Sequence, residues 1–277
     1  MKANSAVYHT IIMIMLMIMT SACSPAQPAP LPSTQTPVPT STFTPVPIWD
    51  YVALGDSNPA GYGVGRSYVD IFANYIATDM GVEVRLHNRA FDGAKSVQLL
   101  TGLRMDPDLQ QDIRDAEVVT IDVGGNDWTP ALRAYSNNTC GGTDNQDCLR
   151  RLVQSYRENI DGILEEIANL RADNPTLLIR TVDVYMSNCD FFPDTKIFRD
   201  KELFNVLHPY TDEFNASIAE ATQAHNAKVV SLYLAFNGPD GTQNPAQYLQ
   251  SDQCHLSSRG HQQVAGMLRH MGLLPEL

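Results

Sequence analysis

From residue 48 to the C-terminus, short apolar runs rich in β-branched residues alternate with segments whose apolar positions recur at helical spacing. This alternation constrains the fold more than any other feature. Strands that are separated in sequence by helices must pair in parallel, and a parallel sheet has to be covered on both faces. The strand candidates are residues 51–54, 82–86, 118–123, 176–185 and 229–234. The helix candidates are 68–80, 96–115 with a break at Pro107, 149–172, 211–227 and 262–271. In the third of these, Leu152, Tyr156, Ile160, Ile163, Leu164 and Ile167 share one face. The pattern predicts one α/β domain over residues 48–277, a length sufficient for a single sizeable core.

In sheets of this type the functional groups gather at the carboxyl edge of the strands. Three polar clusters stand just beyond apolar runs: Gly55-Asp56-Ser57, Gly124-Gly125-Asn126-Asp127 and Asp252-Gln253-Cys254-His255. A parallel sheet can bring all three to one rim. Alone, each has an ordinary explanation, since Ser57 could cap a helix, Asn126 could sit in a turn, and His255 could merely precede a helix cap. Together they match the needs of nucleophilic catalysis. A serine hydroxyl is a weak nucleophile until a base takes its proton. A neutral imidazole can accept that proton and return it, and a carboxylate three residues away can hold the ring in the required tautomer. The tetrahedral intermediate also needs fixed donors, each contributing about 2.7–4 kcal/mol of transition-state stabilisation. Asn126, the Ser57 N–H and a glycine near Gly93 are the candidates. Asp56 reads as a residue that orders the nucleophile turn, His261 reads as structural, and Asp127 has no evident role.

The order of these elements resembles the SGNH/GDSL hydrolase family: Gly55-Asp56-Ser57, the loop glycine Gly93 in Ala90-Phe91-Asp92-Gly93, Gly124-Gly125-Asn126-Asp127 and Asp252-Gln253-Cys254-His255. The resemblance covers residues 48–277. It implies a three-layer αβα fold with a flavodoxin-like, five-stranded parallel sheet. It also implies Ser57 as nucleophile, His255 as base with Asp252 completing the triad, and an oxyanion hole of Ser57, Gly93 and Asn126. The expected reaction is hydrolysis of a carboxylic ester through an acyl-serine, with no cofactor. Short-chain acyl esters or acetylated carbohydrate are the expected substrates, because no long apolar insertion marks an interfacial lid. The alternatives are a lipase or phospholipase, an acyltransferase with the same triad, and a non-catalytic glycan-binding surface lipoprotein. Asn58-Pro59 departs from the family, which often has leucine at the first of these positions.

The N-terminus reads as a targeting segment. Residues 11–19 are apolar but too few to span a bilayer, and they fit the core of a signal peptide over residues 1–22. Thr20-Ser21-Ala22-Cys23 resembles a lipobox, with Cys23 as the lipid attachment site. Residues 24–47 are rich in Pro, Thr and Ser and form an extended spacer on the order of 70 Å long. An exported, membrane-anchored monomer at the cell surface is the expectation. Export permits disulfides, and Cys140, Cys148, Cys189 and Cys254 allow three pairings. Cys140 with Cys148 would close a Gly-rich loop and leave Cys189 for Cys254.

Charge and motifs exclude other classes. The net charge is −12, and of the 19 basic residues only Lys2 precedes position 47, with all acidic residues after it. Such a surface repels a phosphate backbone, so nucleic acid is not an expected partner. The seven histidines show no metal-ligand spacing. Neither a Gly-x-Ser-x-Gly elbow nor a phosphate-binding loop occurs.

Overall fold

A computed structural model describes residues 45–172, 177–189, 197–198 and 200–273. The expected signal segment, Cys23 and residues 24–44 of the spacer lie outside the described residues. Five strands, β1 (Ile48–Gly55), β2 (Glu83–Asn88), β3 (Val118–Asp122), β4 (Leu178–Val182) and β5 (Lys228–Val230), form one sheet in the order β2-β1-β3-β4-β5. Every neighbouring pair is parallel. Nine helices occur among the described residues: α1 (Ser57–Ala60), α2 (Tyr68–Met80), α3 (Ser96–Met105), α4 (Pro107–Asp115), α5 (Trp128–Ser136), α6 (Asp147–Leu170), α7 (Lys201–Ala224), α8 (Leu232–Asn237) and α9 (Ser258–His270).

The central strands are buried on both faces, and their side chains divide by the period of two. Val52 and Leu54 of β1, with Val119 and Ile121 of β3, pack under α3 to α7. Tyr51 and Ala53, with Val118 and Val182, pack under α2, α8 and α9. The result is the three-layer αβα fold that the alternation predicts. Tyr51 is fully buried, and its hydroxyl pairs with Thr120 Oγ1 at 2.9 Å.

Local chemistry moves several boundaries. The break expected at Pro107 falls there, because Asp106 accepts from the Asp108 and Leu109 amides and restarts the chain as a second helix. The expected strand 229–234 is three residues of strand followed by a helix: Ser231 accepts the Leu234 N–H and caps α8. The helix expected at 211 begins at Lys201, where Asp200 accepts two amides. It continues through Pro209, a residue that costs a helix one backbone hydrogen bond.

Two glycines shape the rim on which the site is built. Gly55 has φ +150°, and a Cβ there would lie 2.1 Å from the Asp122 carbonyl oxygen. That close approach lets the Asp56 N–H donate to Asp122 O at 3.1 Å and joins the ends of β1 and β3. Gly124 has φ +141° and packs against the rings of Phe214 and Tyr156, each 3.0 Å from where a Cβ would sit.

Candidate active site

The ends of β1, β3 and β4 and the loop before α9 border one cleft of about 380 Å³. Ser57 lies in the first turn of α1, directly after β1. Asp56 caps that turn by accepting the Asn58 N–H at 3.2 Å, and the Tyr62 N–H closes it by donating to Ser57 O at 2.9 Å. Residues 249–256 fold into a tight turn. Gln250 N–H donates to His255 O at 2.8 Å, and Gln253 takes a left-handed φ of 56°. Within the turn, Asp252 Oδ2 lies 2.6 Å from His255 Nδ1, and Asp252 Oδ1 accepts the Cys254 and His255 amides at 3.0 and 3.1 Å.

Partial burial works against ionisation of Asp252. The hydrogen bonds from the His255 ring and from the two amides outweigh it and hold the carboxyl below its ordinary value. Asp252 is therefore a carboxylate through the neutral range, suited to orient an Nδ1–H imidazole. The other face of His255 meets the Tyr62 ring, with centroids 4.1 Å apart.

Asn126 is half-buried at the cleft, with its Nδ2 donating to Asp56 Oδ2 at 3.3 Å and to Ala94 O at 3.2 Å. Asp127, for which the sequence offers no role, holds this arrangement from behind. It accepts the Ser96 N–H at 3.1 Å and the Ser96 hydroxyl at 2.5 Å, tying the β3 loop to the start of α3. Of the residues picked out from sequence, Ser57, Asn126 and His255 line the cleft, and Asp252 stands behind His255. Gly93 does not line it: this residue sits exposed in a turn with φ +77°, one position before Ala94. His261 is buried and accepts the Tyr68 N–H at 3.0 Å, the structural position expected of it.

Two disulfides are present, Cys140–Cys148 and Cys189–Cys254. The second anchors the residue beside His255 to the segment after β4. Cleft residues that sequence reasoning missed include Asp122, Tyr185 and Trp128. The signal available for Asp122 and Tyr185 was their position at or just past the carboxyl ends of strands. Among the described residues, no group of three or more His, Cys, Asp or Glu side chains is arranged to hold a metal ion.

Three buried carboxyl groups, Asp56, Asp122 and Asp183, also line the cleft. Burial pushes Asp122 up to about 7 against a hydrogen bond from the Tyr68 hydroxyl, and Asp183 up to about 6. Burial and the neighbouring Asp122 raise Asp56 well above its ordinary value. Between the ordinary carboxyl value of 3.8 and about 7, the folded protein keeps a proton on Asp122 that the unfolded chain releases. Stability contributed by Asp122 therefore falls as pH rises through that window. Asp122→Asn keeps an oxygen for the Tyr68 hydroxyl and removes the ionisation. Its melting temperature should gain on the native protein by on the order of 5 °C between pH 5 and pH 8. Calorimetry at both values checks this; a difference that does not change with pH contradicts it.

Residues 53–263 match the model of the GDSL-like Lipase/Acylhydrolase family. The spore germination lipase LipC of Bacillus licheniformis is 26% identical over 226 residues, which cover 80% of this chain and 95% of that protein. The crystal structure of a lipase from a goat rumen metagenome superposes with a TM-score of 0.66 at 25% identity, covering 81% of this chain and 98% of the other. An acetyl-xylooligosaccharide esterase from Geobacillus has a TM-score of 0.56 at 19% identity, covering 81% and 94%, and shares the fold.

Proposed function

Because this chain belongs to the GDSL-like lipase/acylhydrolase family and is a serine ester hydrolase, we propose that it cleaves short-chain or acetyl esters, carbohydrate esters among them, through an acyl-serine on Ser57. One observation carries this reading: Ser57 and His255 face the same cleft, and the Asp252 carboxylate sits 2.6 Å from the far ring nitrogen of His255. In the proposed reaction His255 Nε2 takes the hydroxyl proton as Ser57 Oγ attacks the ester carbonyl. The Ser57 N–H meets the oxyanion, joined by Asn126 Nδ2 as it turns from Asp56 Oδ2 and Ala94 O; Gly93, which lies outside the cleft, takes no part. His255 then protonates the leaving alcohol, and water activated by the same imidazole releases the acid.

The cleft supports the substrate class. Its volume of about 380 Å³ lies near the lower end of the range for ligand sites, roughly 300–1,000 Å³. Trp128, Leu132, Val184, Met186 and Leu207 supply an apolar wall suited to a short acyl group. The acetyl-xylooligosaccharide esterase among the structural neighbours fits the same direction. We place the enzyme outside the cytoplasm, with residues 1–22 removed, Cys23 lipidated and residues 24–47 as the tether. The two disulfides favour an oxidising compartment.

The test has two arms. A fluorophosphonate should label the full chain once, and peptide mapping should place the adduct on Ser57. With p-nitrophenyl esters, kcat/KM for acetate or butyrate should exceed that for palmitate by about tenfold or more. A long-chain preference would reverse the substrate assignment. Absence of any adduct in the folded protein would reverse the nucleophile assignment.

A further inference from the structure

Asn58, the residue that departs from the family pattern, follows Ser57 directly and reaches the loop that carries His255. Its Oδ1 accepts the Leu256 N–H at 3.1 Å, across 198 residues of sequence. Its Nδ2 donates to the Tyr185 hydroxyl at 3.2 Å, and that hydroxyl donates to the Cys254 carbonyl at 2.6 Å. Cys254 and Leu256 are the two residues that flank His255. The circuit therefore runs from the neighbour of the nucleophile to both neighbours of the base. Its polarity is set throughout: the Leu256 amide can only donate, the Cys254 carbonyl can only accept, and the Tyr185 hydroxyl must do both. The amide of Asn58 has one orientation that satisfies all three bonds. Burial raises the Tyr185 hydroxyl well above the ordinary tyrosine value, so it stays protonated and able to donate. The backbone of Asn58 is itself fixed, because its N–H donates to Asp56 Oδ1.

We propose that Asn58, acting with Tyr185, is a positioning residue that sets His255 against Ser57. Its side-chain hydrogen bonds run to Leu256 and to Tyr185. Leucine, which the family often has here, can make none of these bonds. A chain with leucine at this position must locate its base by other contacts, whereas this chain has placed a polar clamp between the two catalytic segments. The inference rests on the reading of Ser57 as nucleophile and His255 as base. A misplacement of about 1 Å between reacting groups is enough to cost about a hundredfold in rate, so loss of the clamp should appear in kcat more than in KM.

The experiment compares the full chain with Asn58→Leu, Asn58→Asp, Tyr185→Phe and the double variant Asn58→Leu/Tyr185→Phe, using p-nitrophenyl acetate. Fluorophosphonate titration counts the active sites, and Ser57→Ala serves as the inactive control. Asn58→Leu should lower kcat per titrated site by about 10- to 100-fold, with KM within about twofold. Asn58→Asp keeps an oxygen for the Leu256 N–H and should retain more activity than the leucine variant. The double variant should be no worse than its more damaged parent, because the two side chains act through one circuit. A residue that only stabilised the fold would lower the melting temperature and leave kcat per titrated site unchanged, and that result overturns the proposal. Losses that multiply in the double variant overturn it too. If the leucine variant does not fold, Tyr185→Phe decides alone, since it removes one hydroxyl and keeps the shape: a fall in kcat of several-fold supports the clamp, and native kcat refutes it. Activity in Ser57→Ala would instead sink the underlying assignment of the nucleophile, an outcome distinct from failure of the clamp.

Discussion

Ser57→Ala is expected to lower kcat for ester hydrolysis by about 10⁴- to 10⁶-fold while leaving the fold and melting temperature close to native. The expectation rests on what the residue contributes locally. The turn after β1 is held by main-chain groups and by Asp56: Tyr62 N–H donates to Ser57 O, Asp56 accepts the Asn58 N–H, and the Asp56 N–H donates to Asp122 O. None of these bonds uses the Ser57 hydroxyl, so an alanine sits in the same turn. The acyl-enzyme, in contrast, requires that oxygen. The residual rate would come from the oxyanion donors and from binding. Circular dichroism, thermal melting and turnover on one preparation check both halves. Substantial activity in the folded alanine variant would remove Ser57 from the mechanism.

The second large effect is expected at Asp252. Oδ1 of this carboxylate accepts two amides, from Cys254 and His255, and Oδ2 faces His255 Nδ1. Asparagine has one acceptor end and one donor end. Its oxygen is drawn to the two backbone N–H groups, which leaves the NH₂ pointing at Nδ1. An imidazole that must accept at Nδ1 carries its proton on Nε2, the atom that should receive the proton of Ser57. Asp252→Asn should therefore lower kcat by about 10³- to 10⁴-fold through the wrong tautomer, in a loop whose amides remain satisfied. Asp252→Ala should damage the loop as well, because both amides then lose their acceptor. Comparing melting temperature and kcat in the two variants separates orientation of the ring from support of the turn. A folded asparagine variant with near-native kcat would show that His255 is oriented by something else.

Both experiments address residues that were legible before any coordinates. Ser57, Asn126, Asp252 and His255 stand out because each follows a strand pattern, and because a parallel sheet collects strand ends at one rim. The family and the αβα class were legible on similar grounds, from the order of motifs, and the two disulfides are the pairing expected among the three that four domain cysteines allow. Other features were not. The break of the last strand at Ser231 depends on a single side-chain cap, which competes with a β-branched run that reads as strand. The passage of α7 through Pro209 depends on tertiary packing that outweighs local propensity.

The division has a physical cause. Patterning and motif order are properties of the chain read along its length, and the sequence by itself determined the fold class and the reaction type and singled out Ser57, Asn126, Asp252 and His255. What only the tertiary structure decided are contacts between residues whose separation carries no periodic signal. Asn58 meets Leu256 across 198 residues, Tyr185 meets Cys254 across 69, and Asp127 meets Ser96 across 31. The clustering of Asp56, Asp122 and Asp183 and their raised pKa values belong with these contacts, because desolvation is set by what surrounds a group in three dimensions and not by its neighbours in the chain.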